Sequence, residues 1–561
     1  MFGFKKLKLT RPKTNSTPPI LKTVSLENIG RHIIGHDTVV EGPFGSRRML
    51  YADYVASGRA YGPIEDKIHE YILPLYANTH TESSVTGRQT TAFREQARSI
   101  IGKAINTNNE DAIIFCGTGC TGAIDKLIHI LQLKLPSDLS RYGIDTKIKA
   151  KDRPVVFIGP FEHHSNDVQW RETIADVVTI GETKDGLIDL IDLERQLKKY
   201  RNRPLRIGSF SAASNVTGLL VDVPAIAKLL HKHGAMAAFD YAGGAPYLPI
   251  DMNCQGGAYL DAVFISPHKF VGGPGTPGLL VLKKKWANNK TPVIPGGGTV
   301  SYVSPCAQAY LEDIEHREEG GTPDIIGAIR AGLAFDLKEE VGAANIAKKE
   351  ISFAKMALKR WGQHKNIKIL GSHSAERLPI FSFLIRCGER YLHYNFVVAL
   401  LNDMFGIQAR GGCSCAGPYG HRLLDIDLKL SREYEKIIGT GVEILKPGWV
   451  RVGFNYFYSK DECEILLRAI EWVADHGYKL LPLYGFNSET GHWTHKDSKA
   501  NSLQDLRNLV PVKTETPPQN IDAIFAKANT YIQSKHTPCN AEKCCVLQST
   551  PEHLRWFSLA D

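Results

Sequence analysis

The sequence predicts an α/β protein with a mainly parallel sheet in a large domain, followed by a smaller α+β domain. Three observations support this prediction. Short apolar runs alternate with helix-length amphipathic segments over residues 112–282, and this alternation is typical of a parallel sheet covered on both faces. A long helical pattern occupies residues 323–360. Mixed strand and helix patterns then follow as far as residue 476.

The large domain begins with a helical pattern between about residues 60 and 135. A strand at 112–115 interrupts this pattern and is followed by a glycine-containing turn at 116–121. Two segments at 189–200 and 224–233 are predicted to be helices that cover the sheet. Five further apolar runs are the remaining predicted strands, at 155–158, 206–210, 236–239, 262–265 and 278–282.

The small domain is predicted from three strand patterns and two helices. The strands lie at 378–385, 407–410 and 449–454, and the helices at 391–405 and 460–476. After about residue 485 the chain turns polar, with one helical pattern near 520–534. We therefore expect a disordered basic leader at 1–26, a large domain at 27–340, a small domain at 341–480 and a polar extension at 481–561.

The composition is that of a globular, soluble protein and argues against two classes of partner. The 561 residues are 43% hydrophobic and 23% charged, and no apolar run reaches the roughly 18 residues that a membrane span needs. Basic residues are mixed with acidic ones and the net charge is only +9, so nucleic acid is not an expected partner. The leader lacks the apolar core of a signal peptide. Eleven dispersed cysteines predict a reducing location, and we expect the cytoplasm.

A lysine at the end of a predicted strand is the main candidate for chemistry. The strand at 262–265 runs into Ser266-Pro267-His268-Lys269 and then a glycine-rich stretch. This order delivers Lys269 to the carboxyl edge of the sheet, where open α/β sheets bind ligands. Asp240 ends the preceding apolar strand, so both side chains are expected to face one pocket. Such a pair suits a pyridine aldehyde cofactor, because the lysine forms a Schiff base and the carboxylate keeps the ring nitrogen protonated.

Other polar motifs occur at the ends of predicted elements, and their order along the chain is specific. These motifs are 51–54, 117–121, Glu162-His163-His164-Ser165-Asn166, 214–218, Asp240, 266–269, 320–323 and 449–454. With them, the sequence resembles the class V aminotransferases over residues 51–474, and within them the cysteine desulfurases and selenocysteine lyases. This resemblance implies fold type I of the pyridoxal phosphate enzymes, with a seven-stranded type of sheet and pyridoxal 5'-phosphate as cofactor.

The resemblance implies a role for each matching residue. His163 would lie against the cofactor ring, and Asn215 would contact its phenolic oxygen. Thr322 would reach the phosphate of the neighbouring subunit, which implies a homodimer with shared active sites. Arg451 lies within an apolar strand and would grip the substrate carboxylate. The phosphate would bind at a helix N-terminus, with contacts from Thr118, Gly119, Cys120, Thr121, Ser266 and His268.

The reaction depends on the segment Arg410-Gly-Gly-Cys-Ser-Cys-Ala-Gly-Pro418. It resembles the loop of one desulfurase group, with Cys415 as the nucleophile and Arg410 as a helper at the substrate carboxylate. Free cysteine would then give alanine and a persulfide on Cys415, while Lys269 moves the α-proton. Cys413 is a rival nucleophile. A sulfur-acceptor protein is a further expected partner.

Two alternatives to the desulfurase reading remain open. One is a class V transaminase or carbon–heteroatom lyase without sulfur transfer, and the other is a binding or scaffold protein that retains the fold. One residue departs from the family pattern: Gly243 stands where the desulfurases usually carry Gln or His, so a contact to the phenolic oxygen is lost. The C-terminal Cys539, Cys544 and Cys545 match no trusted zinc pattern, and no metal site is predicted.

Overall fold

The computed structural model describes residues 26–79, 81, 83–135, 143, 148–498, 504–514, 520–533 and 550–559. The predicted leader falls almost entirely outside these ranges, as do Cys539, Cys544 and Cys545. Within the described ranges, no helix combines the length and the apolar character needed to cross a bilayer.

The helices are α1 Leu26–Ile29, α2 Gly62–Lys67, α3 Val85–Ala104, α4 Gly119–Ile130, α5 Val168–Arg171, α6 Leu190–Lys199, α7 Val223–Lys232, α8 Ile314–Arg317, α9 Ile325–Val341, α10 Ala343–Trp361, α11 Tyr394–Phe405, α12 Gly417–Leu423, α13 Leu428–Ile438, α14 Lys460–His476 and α15 Ile521–Gln533.

The strands form one large sheet, one smaller sheet and several short ribbons. Their bounds are β1 Val39–Val40, β2 Arg47–Arg48, β3 Leu50–Tyr51, β4 Asp111–Cys116, β5 Val155–Ile158, β6 Asp176–Thr179, β7 Arg206–Ser211, β8 Met236–Asp240, β9 Ala262–Ile265, β10 Gly278–Lys283, β11 Val300–Val303, β12 Gln308–Tyr310, β13 Ile367–Ile369, β14 Ile380–Cys387, β15 Arg390–Tyr391, β16 Ile407–Gln408, β17 Arg410–Gly412, β18 Trp449–Gly453, β19 Tyr484–Phe486 and β20 Trp493–His495.

The large sheet has seven strands in the order β4-β10-β9-β8-β7-β5-β6. Neighbouring strands from β9 to β6 pair in parallel, whereas β10 is antiparallel to both β9 and β4. The central strands are buried along their whole length because helices cover both faces. The predicted α/β class with a mainly parallel sheet is therefore confirmed.

The edge strand β4 is protected by two carboxylates from the segment that begins with α8. The Ile113 N–H donates to Glu315 Oε1 at 2.7 Å and the Phe115 N–H donates to Glu319 Oε1 at 2.6 Å. Both amides face away from β10 and would otherwise be open to another strand. Glu319 also pairs with Arg94 and Arg98 of α3, so these contacts fix α3 beside the sheet.

The small domain is built on a sheet with the order β13-β14-β18-β17, and β15 extends β14. The N-terminal segment packs on this domain, because β3 pairs in parallel with β16 and Gly453 N donates to Ala52 O. The sequence places this segment within the large domain of residues 27–340; the backbone pairing instead attaches residues 50–52 to the small one.

Parts of the polar extension also pack on the small domain. The β19–β20 hairpin follows α14, and the Trp472 indole N–H donates to Asn529 Oδ1 of α15 at 2.8 Å. Near the end of the chain, the Trp556 indole N–H donates to Leu445 O and the buried Phe557 bridges to Tyr391. These apolar anchors explain why a segment of polar composition lies on the folded domain.

Candidate active site

A pocket lies at the carboxyl ends of β8 and β9, where the turn after β4 meets the turn that carries Cys415. The large domain supplies most of its wall, and the small domain supplies Cys415 and two arginines. This position follows from the topology, because the parallel strands deliver their following residues to the same edge of the sheet. The lining residues are Val55, Ala56, Thr118, Gly119, Cys120, Thr121, His163, Ser165, Asn215, Asp240, Ala242, Ser266, His268, Lys269, Arg410, Ser414, Cys415 and Arg451.

Lys269 and Asp240 both line this pocket, as the strand order predicts. Lys269 ends the short 3₁₀ turn Pro267–Lys269 that follows β9. Burial disfavours its ammonium form and lowers the pKa of Lys269. Asp240 is the buried last residue of β8. Burial raises the pKa of Asp240, while Lys269 and the Ala242 N–H, at 2.7 Å from Oδ1, oppose that shift.

The N-terminus of α4 forms another part of the pocket wall. Thr118 is the N-cap residue, and the Cys120 N–H donates to Ser266 Oγ at 2.8 Å. Gly119 has a φ of +55°, and a Cβ atom there would lie 2.7 Å from both Ser266 Oγ and His268 Cε1. This turn therefore requires glycine for its backbone and for its close approach. Thr121 Oγ1 lies 2.7 Å from Ser165 Oγ.

His163 is a neutral imidazole at the wall of the pocket. Its Nδ1 accepts the Ser165 N–H at 3.2 Å, which assigns the ring proton to Nε2. Burial and the nearby Lys269 lower the pKa of His163 to about 3. A neutral ring is therefore expected at any physiological pH. Burial likewise lowers the pKa of His268 to about 4.

Arg410 and Arg451 lie directly opposite each other on β17 and β18. Asp53, which the sequence reading did not single out, bridges them: Oδ2 accepts from Arg410 Nε and Oδ1 accepts from Arg451 Nη2, each at 2.8 Å. Arg451 also donates to Asn215 O at 3.1 Å. Arg451 is buried and Arg410 is half exposed. The sequence shows Asp53 only as one residue of the motif 51–54 and contains no signal for this bridge.

The turn that carries Cys415 is strained and is held by the large domain. Ser414 and Cys415 have φ values of +52° and +54°, a region that non-glycine residues rarely adopt. Asn215 Nδ2 donates to Ser414 O, and the His164 N–H donates to Cys415 O, both at 2.8 Å. His164 Nε2 accepts the Gly417 N–H at 2.9 Å. His164, which the sequence shows only as one residue of the motif 162–166, is thus a main anchor of the turn.

The two cysteines of this turn have different surroundings. Cys415 is exposed and lines the pocket. Cys413 is partly buried and packs against the apolar core of the large domain. The side-chain amide of Asn215, which also lines the pocket, donates to Ser414 O. The geometry therefore places Cys415 rather than Cys413 at the pocket.

Two further residues of the sequence reading lie away from the pocket of their own chain. Thr322 is exposed, and its Oγ1 accepts from Asn78 Nδ2 at 3.3 Å. Gly243 packs near Ala213, and a Cβ atom there would lie 3.3 Å from the Ala213 carbonyl oxygen. Over the described ranges, no group of three or more His, Cys, Asp and Glu side chains has an arrangement suited to a metal ion.

Known proteins resemble this chain in sequence. The family model of the class-V aminotransferases matches residues 50–466. A probable cysteine desulfurase of Halalkalibacterium halodurans is 29% identical over 66% of this chain and 84% of its own length. One of Pyrococcus abyssi is 25% identical over 76% of this chain and 94% of its own length.

Solved structures support the same fold. The apo structure of a cysteine desulfurase from Thermococcus onnurineus superposes with a TM-score of 0.64 at 22% identity, over 80% of this chain and 98% of that one. A cysteine desulfurase of Escherichia coli gives a TM-score of 0.58 at 20% identity, over 76% of this chain and 94% of that one. Together with the family match across most of the sequence, these likenesses assign the chain: it belongs to the class-V aminotransferase family.

Proposed function

We propose that this chain is a pyridoxal phosphate-dependent cysteine desulfurase that converts L-cysteine to L-alanine and keeps the sulfur as a persulfide on Cys415. One observation carries the proposal: the exposed thiol of Cys415, in a strained turn, lines the same pocket as Lys269 and Asp240. Strain of this kind is maintained only where the surroundings enforce it, and here the bonds from Asn215 and His164 do so. The names of the two sequence relatives agree with this reaction.

The donors and charges of the pocket fit the proposed cofactor. A dianionic phosphate suits the N-terminus of α4, where the Gly119 and Cys120 backbone and the Thr121, Ser266 and His268 side chains lie. The buried carboxylate of Asp240 needs a cationic partner, which a protonated pyridine nitrogen provides. When bound, the cofactor would supply an aldehyde for the Lys269 amine and a ring that accepts electrons from the substrate α-carbon.

The chain's own groups then divide the work of the reaction. Lys269, whose pKa is lowered by burial, provides an amine that takes the α-proton and returns a proton later. Neutral His163 supplies a flat ring at the pocket wall without adding charge. Arg451 and Arg410 hold the substrate carboxylate while Asp53 keeps both in place.

The sulfur step is assigned to Cys415. Its thiolate attacks the substrate sulfur, the bond between that sulfur and the β-carbon breaks, and the electron pair of that bond stays with the three-carbon fragment. This fragment takes up a proton and leaves as alanine. The sulfur remains on Cys415, which is exposed and therefore open to an acceptor. We propose a sulfur-acceptor protein as partner and the cytoplasm as location.

A homodimer is proposed to complete the site. Thr322 is exposed and lies away from its own pocket, and its Oγ1 accepts from Asn78 Nδ2, which leaves the hydroxyl proton available to serve a second subunit. Four large apolar side chains are exposed in segments close in sequence to Thr322 or to its partner Asn78. Leu73 and Tyr76 precede Asn78, and Tyr302 and Val303 belong to the β11–β12 ribbon. Exposed apolar groups of this size favour a protein interface.

The function is tested with the purified holoenzyme and L-cysteine. We expect a visible absorbance band that borohydride removes, and release of alanine that is lost in Cys415→Ala and kept in Cys254→Ala. Cys254 is the control because it is partly exposed and lies outside both the pocket and the β11–β12 ribbon. A band without alanine release, or equal release by Cys415→Ala, would refute sulfur transfer through Cys415. Absence of the band would count against Lys269.

A further inference from the structure

The two arginines of the pocket lie on β17 and β18, and neither strand carries an acidic side chain that would balance their positive charges. Arg410 and Arg451 are directly opposite each other on antiparallel strands, an arrangement in which like charges destabilise the pair. Arg451 is almost fully buried, with a side-chain exposure of 4%. Its burial lowers the pKa of Arg451, while Asp53 opposes this shift. A counter-ion is therefore needed here, and Asp53 is the carboxylate in contact with both guanidinium groups.

Asp53 is itself held firmly in place. Its carbonyl oxygen accepts the Ala56 N–H at 2.9 Å, and its side chain is 12% exposed. Its two carboxylate oxygens are divided between the two arginines, with one bond of 2.8 Å to each. It therefore fixes the distance between the guanidinium groups as well as neutralising one of them.

The bridge leaves donors for a ligand. Among the described residues, Arg451 Nε has no hydrogen-bond partner. Asp53 accepts a hydrogen bond from Nε of Arg410 and not from its two terminal nitrogens. Both arginines line the pocket, whereas Asp53 does not. The net charge of the three side chains is +1, which matches a single carboxylate.

Among the described residues of the pocket, Lys269 and Cys415 also act on this bridge. Lys269 interacts with Arg451 and Asp53, and Asp240 in turn opposes Lys269. The Cys415 sulfur interacts with Arg451. His163 is neutral because its pKa is lowered to about 3, and burial lowers the pKa of His164 as well. Charges within one pocket lie within the screening length of about 8–10 Å, so an anionic substrate side chain interacts with this +1 receptor.

We propose that Asp53 is a positioning and specificity-determining residue, which holds Arg410 and Arg451 as a receptor for one carboxylate and disfavours amino acids with a second negative charge. This inference rests on the proposed function insofar as the site binds an amino acid. It does not depend on sulfur transfer. The class of substrate is an α-amino acid with an uncharged side chain, such as cysteine with a neutral thiol.

Binding of L-alanine and L-aspartate to the holoenzyme tests the proposal, with calorimetry as the readout. We expect wild type to prefer L-alanine, and Asp53→Asn to lower the ratio of the aspartate Kd to the alanine Kd about tenfold, because the receptor gains a positive charge. Asp53→Glu retains the charge and is expected to keep the ratio within about twofold of wild type.

The outcomes separate this proposal from a structural role and from the proposed function. If Asp53→Asn raises both Kd values equally, Asp53 only supports the fold and the proposal is wrong. A ratio that changes as much in Asp53→Glu as in Asp53→Asn also overturns it. If wild type binds neither amino acid, the proposed function itself fails. If binding follows the prediction but L-cysteine yields no alanine, the receptor stands and only the desulfurase reaction is lost.

Discussion

At the scale of single residues, the turn around Cys415 depends on contacts from the other domain. His164 donates its main-chain N–H to Cys415 O and accepts the Gly417 N–H through Nε2. A neutral ring is required for the second bond, and burial lowers the pKa of His164. The histidine next to His163 is thus a positioning residue for the proposed nucleophile.

Substitution of His164 tests this role. We expect His164→Ala to lower the rate of alanine formation about fivefold to tenfold, the loss of one hydrogen bond, without changing the cofactor absorbance band. His164→Gln retains an acceptor oxygen and is expected to recover part of the rate. Equal rates for wild type and His164→Ala would show that the Gly417 bond does not position the thiol.

Gly119 gives a second prediction at this scale. Gly119→Ala places a methyl group 2.7 Å from Ser266 Oγ at a φ of +55°, so we expect the affinity for pyridoxal phosphate to fall at least tenfold. The measurement is titration of the apoenzyme with the cofactor. Gly257→Ala is the control, because Gly257 has a φ of +80° with no atom within 4 Å of the added Cβ. Unchanged affinity in Gly119→Ala would remove this turn from the cofactor site.

The sequence predicted some of these residues and not others for a physical reason. Lys269 and Asp240 lie at the ends of neighbouring parallel strands, and this topology brings them together. Cys415 belongs to a recognisable motif. Asp53 and His164 act through contacts with residues more than 250 positions away. No local pattern encodes such pairs.

At the scale of elements, the short helix α8 and its neighbours brace the edge of the large sheet. His316 of α8 lies 2.7 Å from Asp313 and 3.7 Å from Glu95 of α3. These carboxylates raise the pKa of His316 to about 10. In turn, the pKa values of Glu95 and Asp313 are lowered to about 2. The cluster attaches α8 to α3. It therefore also holds Glu315 of α8 in place, whose carboxylate accepts a hydrogen bond from β4.

This cluster predicts a pH-dependent contribution to stability. Because the folded pKa of His316 is raised above its unfolded value of about 6.5, its contribution is complete below that pH and is lost as the pH rises through about 10. We expect His316→Gln to lower the free energy of unfolding at pH 6 by at most about 1 kcal/mol, since the pair is half exposed. Denaturant unfolding at pH 6 and pH 10 measures the difference in the free energy of unfolding between wild type and His316→Gln. If this difference is larger at pH 10 than at pH 6, the predicted pH dependence is wrong.

Strand patterns were predicted well where burial is complete. The six strands of the large sheet with fully or nearly fully buried residues all appear in the sequence reading. The seventh, β6, was not predicted from its own residues, because Asp176–Thr179 is an edge strand that is only partly buried. A polar residue stands at each end of it, so it lacks the continuous apolar run that marks β5 and β9.

At the scale of the whole molecule, the proposed dimer makes a specific prediction about shared sites. If Thr322 serves the pocket of the second subunit, Lys269→Ala and Thr322→Ala each impair activity as homodimers. A mixed dimer of the two variants has one pocket with both Lys269 and Thr322 intact. We expect refolded mixtures to recover about half the wild-type activity in those mixed dimers. No recovery in confirmed mixed dimers would mean that Thr322 does not act across the interface.

The packing of the chain termini is the feature of the whole molecule that sequence patterns predicted least. The N-terminal segment joins the small domain through β3, and Trp556 and Phe557 anchor the end of the chain there. Two-residue pairings and single aromatic anchors have no periodicity to detect. The family model, by comparison, covers residues 50–466, the part that contains the whole seven-stranded sheet.

The central claim is that Cys415 receives the sulfur of L-cysteine. Its most direct test is mass spectrometry of the holoenzyme after brief reaction with L-cysteine, with peptides alkylated to preserve bound sulfur. We expect one added sulfur atom on Cys415 in wild type and in Cys413→Ser, and none at any cysteine in Cys415→Ser. Added sulfur on Cys413, or alanine formation without sulfur on Cys415, would contradict it.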